Sequence, residues 1–451
     1  MTEPPIRIDR NELFGPEVDK ALARERAGRE RIVADAPDVS PIRRLLLNSM
    51  VYLPLAALIA AVVTWRLLDP HINDQPVVSG EIALVNAEPF DAQGSGAIAL
   101  TIGDHEVIVT PAVKMIAGAN GEPALHGIAE LKVGDRVEAA GFVHENRLYA
   151  AALRPTADAR PHGSLEEPTW PLFALFPLTA ALIAFGLLFA EGLTTRNYVR
   201  MIYRTVLGSF LAALFATLAF LPAGLIIQIS TAVLHADAMR NHLAVITVRS
   251  VEPVTFFIMV ACRSAAWACI GAATGLGMNL VRATRTQLRN SVIGGALGGA
   301  FGGAFFDPIS RFFSSEFANG SASRLVGLIA VGLSIGLFVA LVERLARDAW
   351  LRVRTGPLAG KSFILYKTPT LIGNSPQSDV YLYKDAEIDP THASVHRVGT
   401  VYEIEDMGSR MGTSVGGSKV RRRRLASGDQ IVIGSTILDF EERQKRVSTG
   451  Q

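Results

Sequence analysis

The chain has 451 residues, of which 49% are hydrophobic and only 19% are charged. Its mean hydropathy is +0.29, whereas a typical soluble protein carries about 25% charged residues; this balance argues against a wholly soluble protein. The only two cysteines, Cys262 and Cys269, lie in one apolar segment, which excludes a disulfide framework. We therefore expect a multi-domain protein with an α-helical membrane bundle.

Residues 1–43 form a charged leader. The stretch "EVDKALARERAGRERIVADA" mixes charges of both signs, which predicts a solvated helix on the cytoplasmic side, with docking to a partner as the alternative. The first long apolar run begins only near Leu45, later than the apolar core of a cleavable signal peptide.

Six apolar runs follow, each near the ~20 residues that cross a bilayer core. They cover residues 45–66, 170–190, 205–229, 254–280, 291–309 and 325–343. We assign residues 44–68 to the first transmembrane helix and residues 166–346 to a five-helix transmembrane region. Pro222 predicts a kink in the third span, and the stretch after that span could form an interfacial helix.

Arginines concentrate in every second connection between these runs, as cytoplasmic loops require. They are Arg43, Arg44, Arg196, Arg200, Arg204, Arg282, Arg285, Arg289, Arg344, Arg347, Arg352 and Arg354. This pattern predicts a multi-pass protein of a bacterial inner or plasma membrane, with both termini in the cytoplasm and the lipid bilayer as its surroundings. Residues 69–165 then lie outside.

The outside segment alternates β-branched residues with turn residues, and Gly103-Asp104 and Glu145-Asn146 predict hairpin turns. The stretch "LKVGDRVEAAGFV" resembles the closing strands of small OB-type barrels. Such barrels often bind nucleic acid, but the clustered lysines and arginines needed for phosphate binding are missing. We predict a small inserted β-barrel that packs or contacts proteins, and no nucleic-acid partner.

The fifth span contains two glycine rows with a spacing of four residues. One row is Gly294, Gly298 and Gly302, and the other is Gly295, Gly299 and Gly303. Such faces let a second helix backbone approach closely. Packing within one chain, packing between chains of a homo-oligomer and a glycine-lined path are all open interpretations.

One charge, Arg263, lies well inside the fourth run. A charge at that depth is costly unless it is paired or hydrated, so it is a functional candidate, with Asp307 or Glu316 as its partner. A structural ion pair is the alternative. No chain of further intramembrane carboxylates or histidines accompanies it, which disfavours a proton or ion relay.

Residues 350–445 change to many short β-patterned stretches with closely spaced turns, which predicts a β-sandwich. Four ordered motifs in this region are Gly373-Asn374-Ser375, Asp389-Pro390-Thr391-His392, Ser409-Arg410-Met411-Gly412-Thr413 and "LASGDQIVIG". They resemble the motifs of the forkhead-associated (FHA) domain, an FHA/SMAD-like β-sandwich. In that family the first three motifs read Gly-Arg-Ser, Ser-Arg-x-His and Ser-x-Asn-Gly-Thr.

The resemblance implies a cytoplasmic module that binds a protein or phosphoprotein through the loops at one end of the sandwich. It implies that Gly373, His392 and Gly412 shape these loops. The family's phosphate donors are replaced here by Asn374, Asp389 and Met411, and a carboxylate at position 389 should repel phosphate. The predicted partner-binding residues are Asn374, Ser375, Asp389, Arg397, Arg410, Met411 and Thr413.

We therefore predict a membrane-anchored scaffold for protein interaction and signalling, with non-standard or phosphate-independent recognition. The first alternative is a structural subunit of an envelope or secretion assembly, and the second is a transporter or channel component. The sequence contains no phosphate-binding glycine loop, metal-spaced cluster or catalytic triad pattern, so we expect no enzymatic activity, cofactor or metal. The arginine run 421–424 is interpreted as a solvated loop, or else as a contact for anionic headgroups or an acidic partner.

Overall fold

The computed structural model describes residues 40–72, 77–86, 97–111, 113–118, 127–144, 146–157, 170–240, 252–280, 284–313 and 321–443. The predicted leader helix lies outside these residues, apart from its last few positions. The chain divides into two compact units. Of the described residues, one unit contains the C-terminal sandwich together with residues 40–52 and 190–203, and the other contains the barrel and the remaining helical segments.

The described residues include seven α-helices. They are α1 (Pro41–Leu46), α2 (Ser49–Leu68), α3 (Trp170–Thr195), α4 (Tyr198–Arg240), α5 (Pro253–Asn279), α6 (Arg285–Phe313) and α7 (Ser321–Ala346). By length and composition, six of them could cross a membrane, and these six correspond to the predicted apolar runs. The helix α4 differs from the prediction because it continues past Pro222 to Arg240, so the start of the expected interfacial helix is part of the same helix.

Both glycine rows of α6 face helices of the same chain. A Cβ atom at Gly295 or Gly299 would overlap the backbone carbonyl of Gly271 or Trp267 in α5. A Cβ atom at Gly298 would lie 2.5 Å from the Cα of Ile335 in α7. The missing side chains therefore allow α6 to pack closely between two neighbouring helices. Because both glycine faces are occupied by helices of the same chain, they are not available for packing between chains of a homo-oligomer.

Among the described residues, ion pairs also connect parts of the helical region. Arg263 Nε is 2.7 Å from Asp307 Oδ1, and only 3% of the Asp307 side chain is exposed. At the start of α7, Arg324 Nε donates to Asp69 Oδ1 at 2.9 Å, and Ser321 also donates to this carboxylate. The second pair connects α7 with Asp69, directly after α2. No local sequence pattern predicts this pair, because its two residues are far apart in the chain.

The inserted β-segment forms a small closed barrel. Its strands are β1 (Val77–Asn86), β2 (Ile98–Ile102), β3 (His105–Val109), β4 (Lys114–Met115), β5 (Arg136–His144) and β6 (Arg147–Pro155). They pair in the order β3-β2-β1-β5-β6, and a parallel pairing of β3 with β6 closes the barrel. Gly103-Asp104 and Asn146 occupy the two predicted hairpin turns. The β1–β2 and β5–β6 pairings each contain a register shift, with the extra residue in β1 and in β6, and these shifts bend the two strands as closure requires.

The C-terminal region is a β-sandwich of two sheets. Its strands are β7 (Ala349–Val353), β8 (Ser362–Ile364), β9 (Thr370–Gly373), β10 (Val380–Tyr381), β11 (Ala393–Val398), β12 (Val401–Asp406), β13 (Thr413–Val415), β14 (Ser418–Val420), β15 (Arg422–Leu425), β16 (Gln430–Ile433) and β17 (Thr436–Glu442). The sheet orders are β10-β9-β11-β12-β15 and β14-β13-β16-β17-β7-β8. Every residue of the buried core between the sheets comes from 349–440, including Leu351, Ile404 and Phe440. The sandwich thus contains a complete hydrophobic core, and we infer that residues 348–443 fold independently.

Candidate functional site

The predicted recognition loops meet at one end of the sandwich, which we call the loop face. It consists of residues 374–379 after β9, residues 382–392 before β11 and residues 407–412 between β12 and β13. These three loops come together because β9, β11 and β12 are neighbours in one sheet. Backbone hydrogen bonds join them: Asn374 N–H donates to Asp389 O, and Met407 N–H donates to His392 O, both at 3.0 Å.

The centre of the loop face is an ion pair between Arg410 and Asp389. The backbone N–H of Arg410 donates to Asp389 Oδ2 at 2.7 Å, and its Nε donates to Oδ1 at 2.8 Å. The guanidinium also reaches Ala386 O at 3.3 Å. The pKa of Asp389 lies below its ordinary value because the backbone N–H and then the side chain of Arg410 donate to the carboxylate. The carboxylate therefore stays charged at neutral pH.

Three residues shape the loops around this pair. A Cβ atom at Gly373 would overlap the carbonyl of Pro390, and Gly412 has a φ of +73°, which favours glycine. His392 is completely buried. Its Nδ1 accepts from Asp389 N–H at 3.2 Å, so its Nε2 carries the proton and faces Gly412 O at 3.4 Å. The histidine thus connects the second and third motifs from inside.

Two aspartates that the motif comparison did not single out also hold the loops. Asp406 accepts from the backbone N–H groups of Gly408 and Ser409 and from the hydroxyls of Ser409 and Thr413. Burial alone would raise the pKa of Asp406, but these hydrogen bonds lower it below the ordinary value. Asp385 is buried and accepts from Ser435 and Thr436. An Asp two or three residues before a loop N–H is a recognisable turn signal, and it could have identified Asp406.

The remaining predicted contact residues have different environments. The Asn374 side-chain amide donates to Asp385 O at 3.1 Å, and Ser375 Oγ accepts from Gln377 N–H at 3.3 Å. Met411 is 43% exposed. Thr413 is completely buried, and its hydroxyl donates to Asp406 at 2.8 Å. Thr413 therefore supports the third loop from inside, and its role as a partner contact stays a prediction.

Arg397 lies apart from the other predicted contact residues. The loop face adjoins the start of β11, whereas Arg397 lies near the other end of this strand, about 13 Å from Ala393 at the usual rise per residue. Its guanidinium pairs with Asp348 at 3.0 Å and lies over the Tyr402 ring. Proximity in the sequence to the second motif does not bring Arg397 into the site, because an extended strand carries it away.

The arginine run has an ordered backbone. Arg422, Arg423 and Arg424 belong to β15, an edge strand of its sheet. Arg422 pairs with Glu403 at 2.9 Å, and Arg423 donates to Val415 O at 2.8 Å. The expected solvated loop is thus a strand whose charged side chains also protect an exposed sheet edge.

One cluster near the loop face contains the residue types of a catalytic triad. Ser394 Oγ is 2.9 Å from His396 Nε2, and Glu405 Oε2 is 3.4 Å from the same nitrogen. A relay needs the serine and the carboxylate on opposite ring nitrogens. Both groups meet Nε2 here, so the carboxylate cannot orient the histidine as a base for the serine.

Comparisons with known proteins agree on the C-terminal region. Residues 370–434 match the family model described as "FHA domain". The "Oxoglutarate dehydrogenase inhibitor" of Corynebacterium jeikeium is 39% identical over 93 residues, which are 21% of this chain and 64% of that protein. The "Glycogen accumulation regulator GarA" of Mycolicibacterium smegmatis is 35% identical over 103 residues, which are 23% of this chain and 65% of that protein. This chain thus covers less than two thirds of either relative.

Several of the solved structures that match are described as FHA domains. One from Chlamydia trachomatis is 26% identical and covers 22% of this chain and 99% of that chain, with a TM-score of 0.20. The family match and the four motifs together show that the C-terminal region contains an FHA domain, a protein-interaction module. The matched region leaves out the helices and the barrel.

Proposed function

We propose that this protein is a membrane-anchored scaffold whose FHA domain holds a protein partner without reading phosphothreonine. The observation that carries the proposal is the ion pair between Arg410 and Asp389. Phosphate recognition needs charge-assisted donors that are directed at the ligand. Here the backbone N–H and Nε of Arg410 both donate to a carboxylate of the same domain.

The ion pair supports this proposal through charge as well as geometry. Asp389 would repel a dianionic phosphate, and it cancels the charge of the one arginine in the third motif. The side-chain amide of Asn374, at the position of the family's first-motif arginine, donates inward to Asp385 O. Met411 replaces the motif's asparagine and offers an exposed, flexible apolar contact. These features suit an unphosphorylated protein surface.

Membrane anchoring is supported by the outer surface of the helices. Along α4, large apolar side chains recur at helical spacing and remain at least 45% exposed. They are Val206, Phe210, Leu214, Leu218, Leu221 and Leu225. An apolar stripe of this length is stable when it faces lipid, and the arginine-rich connections support a cytoplasmic position for the FHA domain.

The inserted β-segment has its own role in this proposal. We assign the barrel to the OB type because five strands close through one parallel pairing. We propose that it lies outside, in a packing or protein-contact role.

The structural-subunit alternative also needs a docking surface that does not read phosphate, so the loop face is compatible with it. The transporter alternative loses support because Arg263 already pairs with Asp307.

Peptide titration tests phosphate-independent recognition. The partner is captured with the 348–443 segment as bait, and peptides covering its binding region are then titrated with and without phosphothreonine. We expect equal affinity for both forms, and weaker binding of both after Met411→Ala. Asp389→Ser combined with Asn374→Arg restores two family donors and should create a preference for the phosphorylated form. A phosphate requirement in the unmodified domain would overturn the proposal.

Cysteine labelling tests the orientation. In a Cys262→Ala/Cys269→Ala background, a single cysteine replaces Ser427 in the FHA domain or Asp104 in the barrel turn. We expect a membrane-impermeant maleimide to label the Asp104 position in intact spheroplasts, and the Ser427 position only after lysis. The reverse pattern would refute the orientation.

A further inference from the structure

The first recognition loop contacts the chain's own helical hairpin. The tight turn between α3 and α4 contains Arg196, whose φ of +57° is left-handed, and the buried Asn197. Asn197 Nδ2 donates to Pro376 O at 2.7 Å, and Arg200 donates to Gln377 O at 2.9 Å. Both acceptors are backbone carbonyls of the loop after β9, within the compact unit that contains the sandwich and residues 190–203.

The orientation of the Asn197 amide is defined at both ends. Its Oδ1 accepts from the backbone N–H of Arg200 at 3.2 Å, which caps the first turn of α4. With the oxygen in this role, the amide nitrogen must point to Pro376. Asn197 is only 5% exposed, so the loss of either hydrogen bond would leave a buried amide atom unsatisfied and would cost free energy.

A buried lysine makes a second contact between the sandwich and the helices. Lys361, between β7 and β8, is 6% exposed, and its Nζ donates to Thr194 Oγ1 at 2.7 Å. The same ammonium lies 5.0 Å from the centre of the Tyr52 ring. Burial of a cation is costly unless such partners are in place. These contacts therefore hold the sandwich in a specific position against the end of α3.

The hairpin contact continues into the centre of the loop face. Ser378 N–H donates to Ser375 O, which closes the loop on which Pro376 lies. Ser378 Oγ then donates to Pro390 O at 3.0 Å. Pro390 directly follows Asp389, the carboxylate that holds Arg410. A continuous path of hydrogen bonds and covalently bonded neighbours thus joins the hairpin to the Asp389–Arg410 pair.

We propose that Asn197 and Arg200 are positioning residues that latch the first recognition loop of the FHA domain to the α3–α4 hairpin. The latch orders residues 374–378 while the hairpin keeps its present position, and displacement of the hairpin loosens the loop. The binding face is thereby coupled to the turn between α3 and α4. This proposal does not depend on the partner's identity or on its phosphorylation.

The test is hydrogen–deuterium exchange of the full-length protein in detergent micelles. Asn197→Asp keeps the capping oxygen but replaces the donating amide with an acceptor, so it selectively breaks the contact with Pro376. Arg200→Ala removes the second donor and leaves Asn197 intact. We expect amides in 374–378 to exchange about tenfold faster in each variant, as for the loss of one buried hydrogen bond. The Arg200 amide should remain protected in Asn197→Asp.

Controls separate a released latch from general unfolding. Val199→Ala changes an exposed side chain on the same turn of α4 and should leave exchange in 374–378 unchanged. Peptides from 430–440, in the sandwich core, should be unaffected in every variant. If Asn197→Asp accelerates exchange throughout the protein, Arg200→Ala decides the outcome. Unchanged exchange in 374–378 in a folded Arg200→Ala variant would overturn the proposal.

Discussion

Arg410 holds Asp389 with two different parts of one residue, donating from its backbone N–H at 2.7 Å and from its guanidinium Nε at 2.8 Å. The side chain of Arg410 is 73% exposed, whereas that of Asp389 is 18% exposed. The carboxylate is thus covered by the arginine that it binds. The donors of Arg410 are therefore occupied by the Asp389 carboxylate and are not open to an external anion.

The first prediction concerns the titration of Asp389. Arg410→Ala should raise the pKa of Asp389 towards its ordinary value, because the side-chain hydrogen bond and the positive charge are lost. Since the folded-state pKa is depressed, the stabilisation is complete above the unfolded-state pKa and disappears as the pH falls through the folded-state pKa. Carboxyl-detected NMR on the 348–443 segment measures the shift.

Arg422→Ala is the matched control for this titration. It removes an exposed arginine that pairs with Glu403 on β12, so the pKa of Asp389 should not change. Equal titration of Asp389 in the wild type and in Arg410→Ala would contradict the assigned role of the ion pair.

The second prediction is that Asp406→Asn destabilises the FHA domain. The Asp406 carboxylate accepts from two backbone N–H groups and two hydroxyls, and an amide cannot satisfy all four. The free energy of unfolding should fall by about 1–3 kcal/mol. Chemical denaturation of the 348–443 segment measures this change.

The pH dependence of that denaturation gives a second check. The pKa of Asp406 is depressed, so its stabilisation should be lost as the pH falls through the folded-state pKa, and Asp406→Asn should flatten this part of the curve. Glu387→Gln alters an exposed carboxylate and should change the free energy by no more than about 0.5 kcal/mol. If the two variants behave alike, the proposed role of Asp406 is wrong.

The third prediction compares two glycines in the helical region. Gly299→Ala would place a methyl group against the carbonyl of Trp267, and overpacking of this kind costs about 1–3 kcal/mol. Gly224→Ala meets only the edge of Phe220, at 4.0 Å, and alanine is the better helix former. Thermal unfolding in detergent should show a lower Tm for the first variant alone. Equal Tm values would contradict close packing of α6 on α5.

The fourth prediction concerns Arg263 and Asp307. Arg263→Leu removes the ion-pair partner of a carboxylate whose side chain is 3% exposed, which should destabilise the protein by roughly 3 kcal/mol. The double variant Arg263→Leu/Asp307→Leu should recover most of this loss, because no unpaired charge remains. Unfolding in detergent provides the double-mutant cycle. Additive effects of the two substitutions would show that the residues do not interact.

Local patterns predicted the fold well where one segment is sufficient. The apolar runs at 254–280 and 325–343 correspond closely to α5 and α7, because the length and apolar character of such helices are encoded within each run. The FHA scaffold was equally predictable from the sequence. Gly373 allows the close approach of the Pro390 carbonyl, and Gly412 has a positive φ, so both positions favour glycine. Local patterns could not give the position of Arg397, because an extended strand separates it from the motif beside it in the sequence.

The sequence alone determined that this chain combines six long apolar helices, a small β-domain and an FHA domain that lacks the family's usual donors. These properties follow from periodicity, composition and residue identity within short windows. Only the tertiary structure decided what replaces those donors. Arg410 and Asp389 are 21 residues apart, and Asn197 and Pro376 are 179 residues apart. Hydrogen bonds act over about 3 Å, so contacts between such distant positions exist only once the folded chain brings them together.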